Sequence, residues 1–337
     1  MAYLDFVDMF ARKSKRDPDE LLQEKPLSFP ISTNYRGEKL LDFLSQIVDI
    51  DFKNLRVLDI GCAYGGFSIA MAKRGAHVTG IDVSPQFIEY ARTNAKGDVE
   101  LDARVMDASS SEVRDNFERS EFDLILLNDV LEHIYDTTSL AKNIDYLLND
   151  TGRVYFKVPN GHSPRWAISE GHRKIFGLTL LDPDCWFYLH PQRASIFYRP
   201  FEYFPAIFGH FGLGNHLWID EEKVFERFRK RKFLNQFKEI YEIYRNNPEF
   251  DPQLKEYLKH GINRFRNEFL FDWDDLGDAY CRFKYGSYFY SGFFARPDAD
   301  IGSKTEVMTL PPIGSIAAAT PHYSFPELQP PESGLLR

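Results

Sequence analysis

The sequence predicts an α/β protein built on a doubly wound, mostly parallel sheet. Three observations carry that expectation. Between residues 56 and 158, short apolar runs alternate with runs of helical spacing. A glycine-rich turn, Gly61-Cys62-Ala63-Tyr64-Gly65-Gly66, directly follows the first apolar run. Residues suited to ligand contact then recur at the ends of successive runs: Asp82, Met106-Asp107-Ala108 and Asn128-Asp129. Right-handed crossovers make such strands parallel and place a ligand at their carboxyl ends.

Residues 1–35 read as a cap or arm, with a charged stretch from Arg12 to Glu24 and prolines at 18, 26 and 30. From Arg36 onward, Leu40, Leu41, Leu44, Ile47 and Val48 have helical spacing. Strands are expected at 56–60, 77–81, 103–106, 122–127 and 153–158, each short and rich in Val, Ile, Leu or Phe. Ser84-Pro85 is a helix start, a capping serine before a proline at the first helical position, and Phe87, Ile88, Ala91 and Ala95 follow on one face. The core is assigned to 36–220. Residues 160–300 are crowded with aromatics, among them Trp166, Phe176, Trp186, Phe187, Tyr188, Phe201, Phe204 and Phe208. Aromatics at helical spacing favour core over pocket. Helical patterns at 221–245 and 252–268 suggest an aromatic-rich helical insertion over 221–280, serving as a lid or an oligomer contact. Residues 282–295 alternate like a late strand, so 281–296 is expected to close the core. The tail, 297–337, holds Pro311-Pro312 and Pro330-Pro331 and reads as extended.

A chain of 337 residues suits one large domain carrying an insertion. No apolar run is long enough to span a bilayer, and the opening MAYLDFVDMFARKSKR lacks the order of a secretory signal. A cytoplasmic location without membrane contact is expected. Cys62, Cys185 and Cys281 are far apart and form no CxxC pair, which excludes a disulfide framework or a cysteine-rich zinc site. The formal net charge of −9 argues against nucleic acid as partner. Arg227, Arg229, Lys230, Arg231 and Lys232 are the best candidate for a local basic patch. Following Glu221 and Glu222 in what reads as a single helix, they have the acid-first, base-last order that suits the dipole of a solvated helix.

The glycine turn alone is ambiguous, because Gly61, Ala63 and Gly66 nearly satisfy a dinucleotide fingerprint and Asp82 stands where an acid can bind ribose hydroxyls. Asp59 separates the readings. A carboxylate just before the turn repels a pyrophosphate and suits the ammonium of an amino-acid moiety.

With these motifs in order, VLDIGCAYGG, TGIDVSPQFIEYAR, MDA, FDLILLNDVLEHI and GRVYFKVPN, the chain resembles the class I S-adenosylmethionine-dependent methyltransferases. The resemblance covers residues 36–160 and continues less closely through residues 197–213. It implies a Rossmann-like, seven-stranded sheet whose last strand is antiparallel. It further implies that S-adenosylmethionine is the cofactor, with Asp59 and Gly61 at its methionine end, Asp82 on the ribose hydroxyls and Asp107 on the adenine amino group. Ala108 would pack near the adenine and Asn128 along the methionine side, with Gly65 and Val83 as further contacts. Ala63 departs from the family pattern, where glycine is commoner.

Methyl transfer is an in-line displacement, so the protein has mainly to align the reactants and exclude water. Where the acceptor is a poor nucleophile, histidine is the natural base near neutral pH. His133, His162, His172 and His190 lie in or after the relevant half; His133 and His162 are taken as the catalytic candidates. Asp129, Glu132 and His133 have the spacing of the ExxEH arrangement in ubiquinone-pathway and small-RNA methyltransferases, with Asp for the first Glu. No fourth ligand is evident, and no metal site is assigned. The expected acceptor is a small molecule methylated on oxygen in a biosynthetic pathway, a natural product or a sugar, with Tyr35 and Arg36 closing the pocket. A metal-assisted RNA methyltransferase and a non-catalytic cofactor-binding protein are the alternatives. A second copy of the chain, as a homodimer, is the other expected partner.

Overall fold

A computed structural model describes residues 2–172, 174–182, 185, 196–220, 227–248 and 250–304. The first helices are α1 (Ala2–Ser14), α2 (Pro18–Gln23) and α3 (Thr33–Ile47). The alternating region follows: β1 (Arg56–Ile60), α4 (Gly66–Lys73), β2 (His77–Asp82), α5 (Pro85–Ala95), β3 (Asp102–Val105), α6 (Val113–Asn116), β4 (Phe122–Asn128), α7 (Thr137–Leu147) and β5 (Leu148–Pro159). Beyond it come α8 (Pro164–Ile168), α9 (Tyr203–His210), β6 (Asn215–Trp218), α10 (Lys230–Asn246), α11 (Pro252–Asp275), α12 (Gly277–Gly286) and β7 (Phe289–Ala295).

The seven strands form one sheet in the order β3-β2-β1-β4-β5-β7-β6. Neighbours from β3 to β5 are parallel, whereas β7 is antiparallel to both β5 and β6. Strand order reverses between β1 and β4, which opens a crevice at their carboxyl ends. The strands read as continuous apolar runs because both faces are covered. Along β4, Ile125 and Leu127 face one core with α7, α9 and the late helices; Leu124 and Leu126 face the other with α3 and α4.

The N-terminal arm is a helical cap. Phe6 and Phe10 of α1 pack on Tyr90 of α5 and on Tyr64 of the glycine turn. Helix α3 lies so close to α4 that a Cβ at Gly66 would sit 2.3 Å from the Thr33 carbonyl oxygen, and one at Gly37 would sit 2.3 Å from the Gly66 carbonyl oxygen. Only glycine fits at both positions.

Three sequence expectations change. The closing strand spans Phe289–Ala295, not 281–296, because residues up to Gly286 belong to α12. Second, α11 runs to Asp275, past the expected end at 268. Third, the basic cluster does not lie at the end of one helix: Arg227 is helical, Phe228 and Arg229 are not. Helix α10 begins at Lys230 with Arg229 as an extended, uncapped N-cap residue, so Lys230, Arg231 and Lys232 occupy its first turn. Each such cation opposes the helix dipole by roughly 0.3–1 kcal/mol. Glu221 and Glu222, Trp186, Phe187, Tyr188, His190 and the tail from residue 305 lie outside the described residues. Of the other aromatics, Phe201, Phe204 and Phe208 are buried in the core beside Trp218, Phe283 and Tyr290.

Candidate functional site

Asp59 ends up at the sheet's crevice with 2% exposure, its carboxylate accepting a 2.5 Å hydrogen bond from the Ser68 hydroxyl on α4. Burial pushes its pKa up to about 7, and the neighbouring Asp82 carboxylate adds to the rise. An isolated anion there is costly, whereas a cation from a ligand would offset that cost. Ser68 was not singled out in the sequence; a serine one helical turn beyond a glycine turn carries no signal of its own.

The turn is closed by backbone hydrogen bonds from Gly61 and Cys62 to the Ile81 carbonyl at 2.7 and 3.1 Å, and from Gly65 to the Cys62 carbonyl at 2.8 Å. Gly61 and Gly65 take φ of 70° and 77°, and Ala63 takes φ of 45°. The left-handed conformation costs an alanine roughly 1–2 kcal/mol, against about 0.4–1 kcal/mol gained by restricting the unfolded chain. Ala63→Gly is therefore expected to raise stability by about 0.5–1 kcal/mol, read from the urea midpoint at unchanged m-value.

Asp82 links two turns. Its carboxylate accepts from the Ala63 amide at 3.1 Å and the Ser84 amide at 2.8 Å, while Ser84 itself caps α5 through Phe87. Burial raises its pKa. Val83 beside it is exposed. Asp107 accepts from the Ser109 amide and hydroxyl at 2.8 and 2.7 Å, forming a turn just beyond β3. Ala108 is buried, and its carbonyl accepts from Asn143 at 3.0 Å. Asn128, at the end of β4, donates to Asp129 at 3.0 Å. Asp59, Asp82, Asp107 and Asn128 thus stand at one edge of the sheet, and Gly61, Ala63 and Gly65 form the turn above β1.

A second cluster lies past β4. Glu132 has 0% exposure, and neither carboxylate oxygen has a hydrogen-bond partner among the described residues. Burial holds its pKa well above the usual carboxylate range, and the Asp129 charge raises it further. The Arg199 guanidinium clamps the surrounding turn by donating to the Leu131, Ile134 and Tyr135 carbonyls. His133 Nε2 lies 4.0 Å from Glu132 Oε1, and His172 Nε2 lies 3.9 Å from the same atom. His172 is oriented by Glu170, whose Oε1 is 2.9 Å from its Nδ1; the Tyr198 hydroxyl donates to that carboxylate. Donor atoms of Glu132, His133 and His172 all fall within 4.8 Å of one another, an arrangement able to accept a proton or hold a divalent cation. Asp129, at φ 56°, sits alongside with Arg36 at 3.9 Å, while Tyr35 points to solvent.

His162 belongs elsewhere. Its Nδ1 is 3.1 Å from the Tyr290 hydroxyl and its Nε2 3.3 Å from Glu268. Glu268 joins Glu202 and Asp272 around the ammonium of Lys284, which is 3% exposed, at 2.8 to 2.9 Å. The structure therefore joins His133 with His172, and sets His162 within a buried ionic network tying α11 and α12 to the core.

Residues 33–215, more than half of the chain, match the family model of the methyltransferase domain, and the protein belongs to that family. Its relatives include a ubiquinone biosynthesis O-methyltransferase of Xanthomonas oryzae pv. oryzae, 28% identical over 48% of this chain and 64% of that one. Another of the same name, from Pelagibacter ubique, is 35% identical over 39% of this chain and 53% of that one. The chain thus spans between about half and two thirds of the length of these relatives. Among solved structures it is similar to phosphoethanolamine N-methyltransferase 2 of Haemonchus contortus in complex with S-adenosyl-L-methionine, at 19% identity and a TM-score of 0.44 over 79% of this chain and 53% of that one.

Proposed function

We propose that the protein is an S-adenosylmethionine-dependent methyltransferase that methylates an oxygen of a small molecule, a ring-containing natural product or a sugar, within a biosynthetic pathway. The observation that carries this reading is the buried Asp59 carboxylate in line with Asp82, Asp107 and Asn128 along one sheet edge. Family membership and the names of the relatives agree with it. When bound, S-adenosylmethionine supplies an electrophilic methyl group on a sulfonium. Asp59 would hold the ammonium of its methionine end and Asp82 its ribose hydroxyls, with Asp107 and Ala108 at the base. Past β4, Glu132, His133 and His172 would take the proton from the acceptor hydroxyl as its oxygen attacks in line.

A ligand ammonium stabilises ionised Asp59, so binding lowers a pKa that starts near 7 and releases a proton. Affinity for S-adenosylmethionine is expected to be full above that pH and to fall as pH drops through it. Titration calorimetry at several pH values and in buffers of different ionisation enthalpy reads both effects. Absence of binding heat for the cofactor and for its demethylated product would remove the proposal.

A second reading is favoured by the buried carboxylate of Glu132, which has no hydrogen-bond partner among the described residues. With His133 and His172 it forms an oxygen-and-two-nitrogen donor set suited to zinc or manganese, with Glu170 behind His172 as the carboxylate that fixes a ligating imidazole. His172 stands in this set where the sequence motif had Asp129, giving three ligands. Such a cation would lower the pKa of an acceptor hydroxyl. Metal analysis after chelation, with activity restored by one added equivalent, supports this reading; full activity in metal-free protein excludes it.

A further inference from the structure

A cavity of about 270 Å³ opens between the start of α8, the first turns of α10 and the link from α12 to β7. Arg165, Arg227 and Lys232 line it, together with Ser163, Gln236 and Tyr288. Among the described residues, none of the three cations is in an ion pair; Arg165 instead stacks over the Tyr288 ring at 4.3 Å. In a chain of net charge −9, three convergent cations with no carboxylate among the described lining residues are an unbalanced arrangement.

Two independent features point to an anion. Helix α10 starts without a side-chain cap and with no acid in its first turn, so the positive end of its dipole is uncompensated and Lys232, in that first turn, adds its charge at the cavity. Ser163, 2% exposed, lines the same cavity with a hydroxyl that makes no hydrogen bond among the described residues. The cavity also lies on the working edge of the sheet, since Ser163 follows β5 and Tyr288 precedes the antiparallel β7.

We propose that this cavity binds the phosphate group of a phosphorylated acceptor, placing its charged end beyond β5 and β7 while its hydroxyl faces the methyl donor. Three cations and a hydroxyl donor match a tetrahedral dianion better than a single carboxylate. This inference rests on the methyltransferase reading, and the test separates the two.

The probe is inorganic phosphate, titrated against the whole chain by calorimetry, with S-adenosylmethionine titrated in parallel. Phosphate is expected to bind, at least tenfold more weakly in an Arg227→Gln/Lys232→Gln double variant, and more weakly in Arg165→Gln, with cofactor affinity unchanged in both. Acetate at equal concentration is expected not to compete. Absence of phosphate binding, unchanged phosphate affinity in both variants that melt like the parent, or competition by acetate would each overturn the phosphate site. Cofactor binding without phosphate binding discards this inference alone; phosphate binding without cofactor binding discards the methyltransferase reading.

Discussion

Asp82→Ala should reduce affinity for S-adenosylmethionine by about 100-fold or more. Two charge-assisted hydrogen bonds to ribose hydroxyls, at roughly 1.5–3 kcal/mol each, set that scale. The same substitution also frees the Ala63 and Ser84 amides that the carboxylate now accepts from, so part of the loss comes through the turn. Asp82→Asn separates the contributions, because the carboxylate accepts from the Ala63 amide on one oxygen and from the Ser84 amide on the other, and asparagine keeps one of these acceptors but not the charge. The asparagine variant should therefore melt between the alanine variant and the parent while binding cofactor at least tenfold more weakly. Calorimetric titration and thermal melting of both variants check this. Unchanged cofactor affinity in both would mean that the ribose lies elsewhere.

Glu132→Gln is the second large effect, with an expected loss in kcat of about 100-fold or more and cofactor affinity unchanged. Glu132 is a buried acid with no hydrogen-bond partner among the described residues, an arrangement that costs stability. The variant should therefore be as stable as the parent or more so while losing activity, the trade expected of a functional group held in an unfavourable place. His172→Ala should lose activity to a similar degree. Glu170→Gln should lose less, because Glu170 acts by orienting the His172 ring and not by touching the acceptor. Single-turnover kinetics with saturating cofactor, alongside melting curves, distinguish these outcomes. A stable Glu132→Gln protein with parental kcat would place the chemistry outside this cluster.

What the sequence made legible was local. The strand at Arg56–Ile60 falls where its apolar run and following glycines put it, and the strand-end acids follow once the alternation is recognised. The last strand was overextended because Arg282, Phe283, Lys284 and Tyr285 alternate polar with aromatic as a half-buried strand does. In α12, Lys284 is itself buried, compensated by Glu202, Glu268 and Asp272 from other segments, so the alternation had no outward face to report. Charge compensation at a distance is invisible to periodicity. His172 was one of four histidines noted in the sequence, yet nothing local joined it to His133. That link depends on Glu170 and Tyr198, which orient the His172 ring. The basic cluster was misjudged for want of a helix start: two residues decide whether the same charges stand at the favourable or the unfavourable end.

The glycine seam between α3 and α4 has a bearing on where the donor site is vulnerable. Gly37 is not among the residues assigned to ligand contact, yet a single methyl group on it would collide with the Gly66 carbonyl and wedge the two helices apart. Ser68, two residues along α4, holds the Asp59 carboxylate by one short hydrogen bond, and a fraction of an ångström of retreat would weaken it. The chain thus has no latitude at a position that touches no reactant. The precision of the ammonium pocket is set there, through a rigid backbone contact on the far side of the helix.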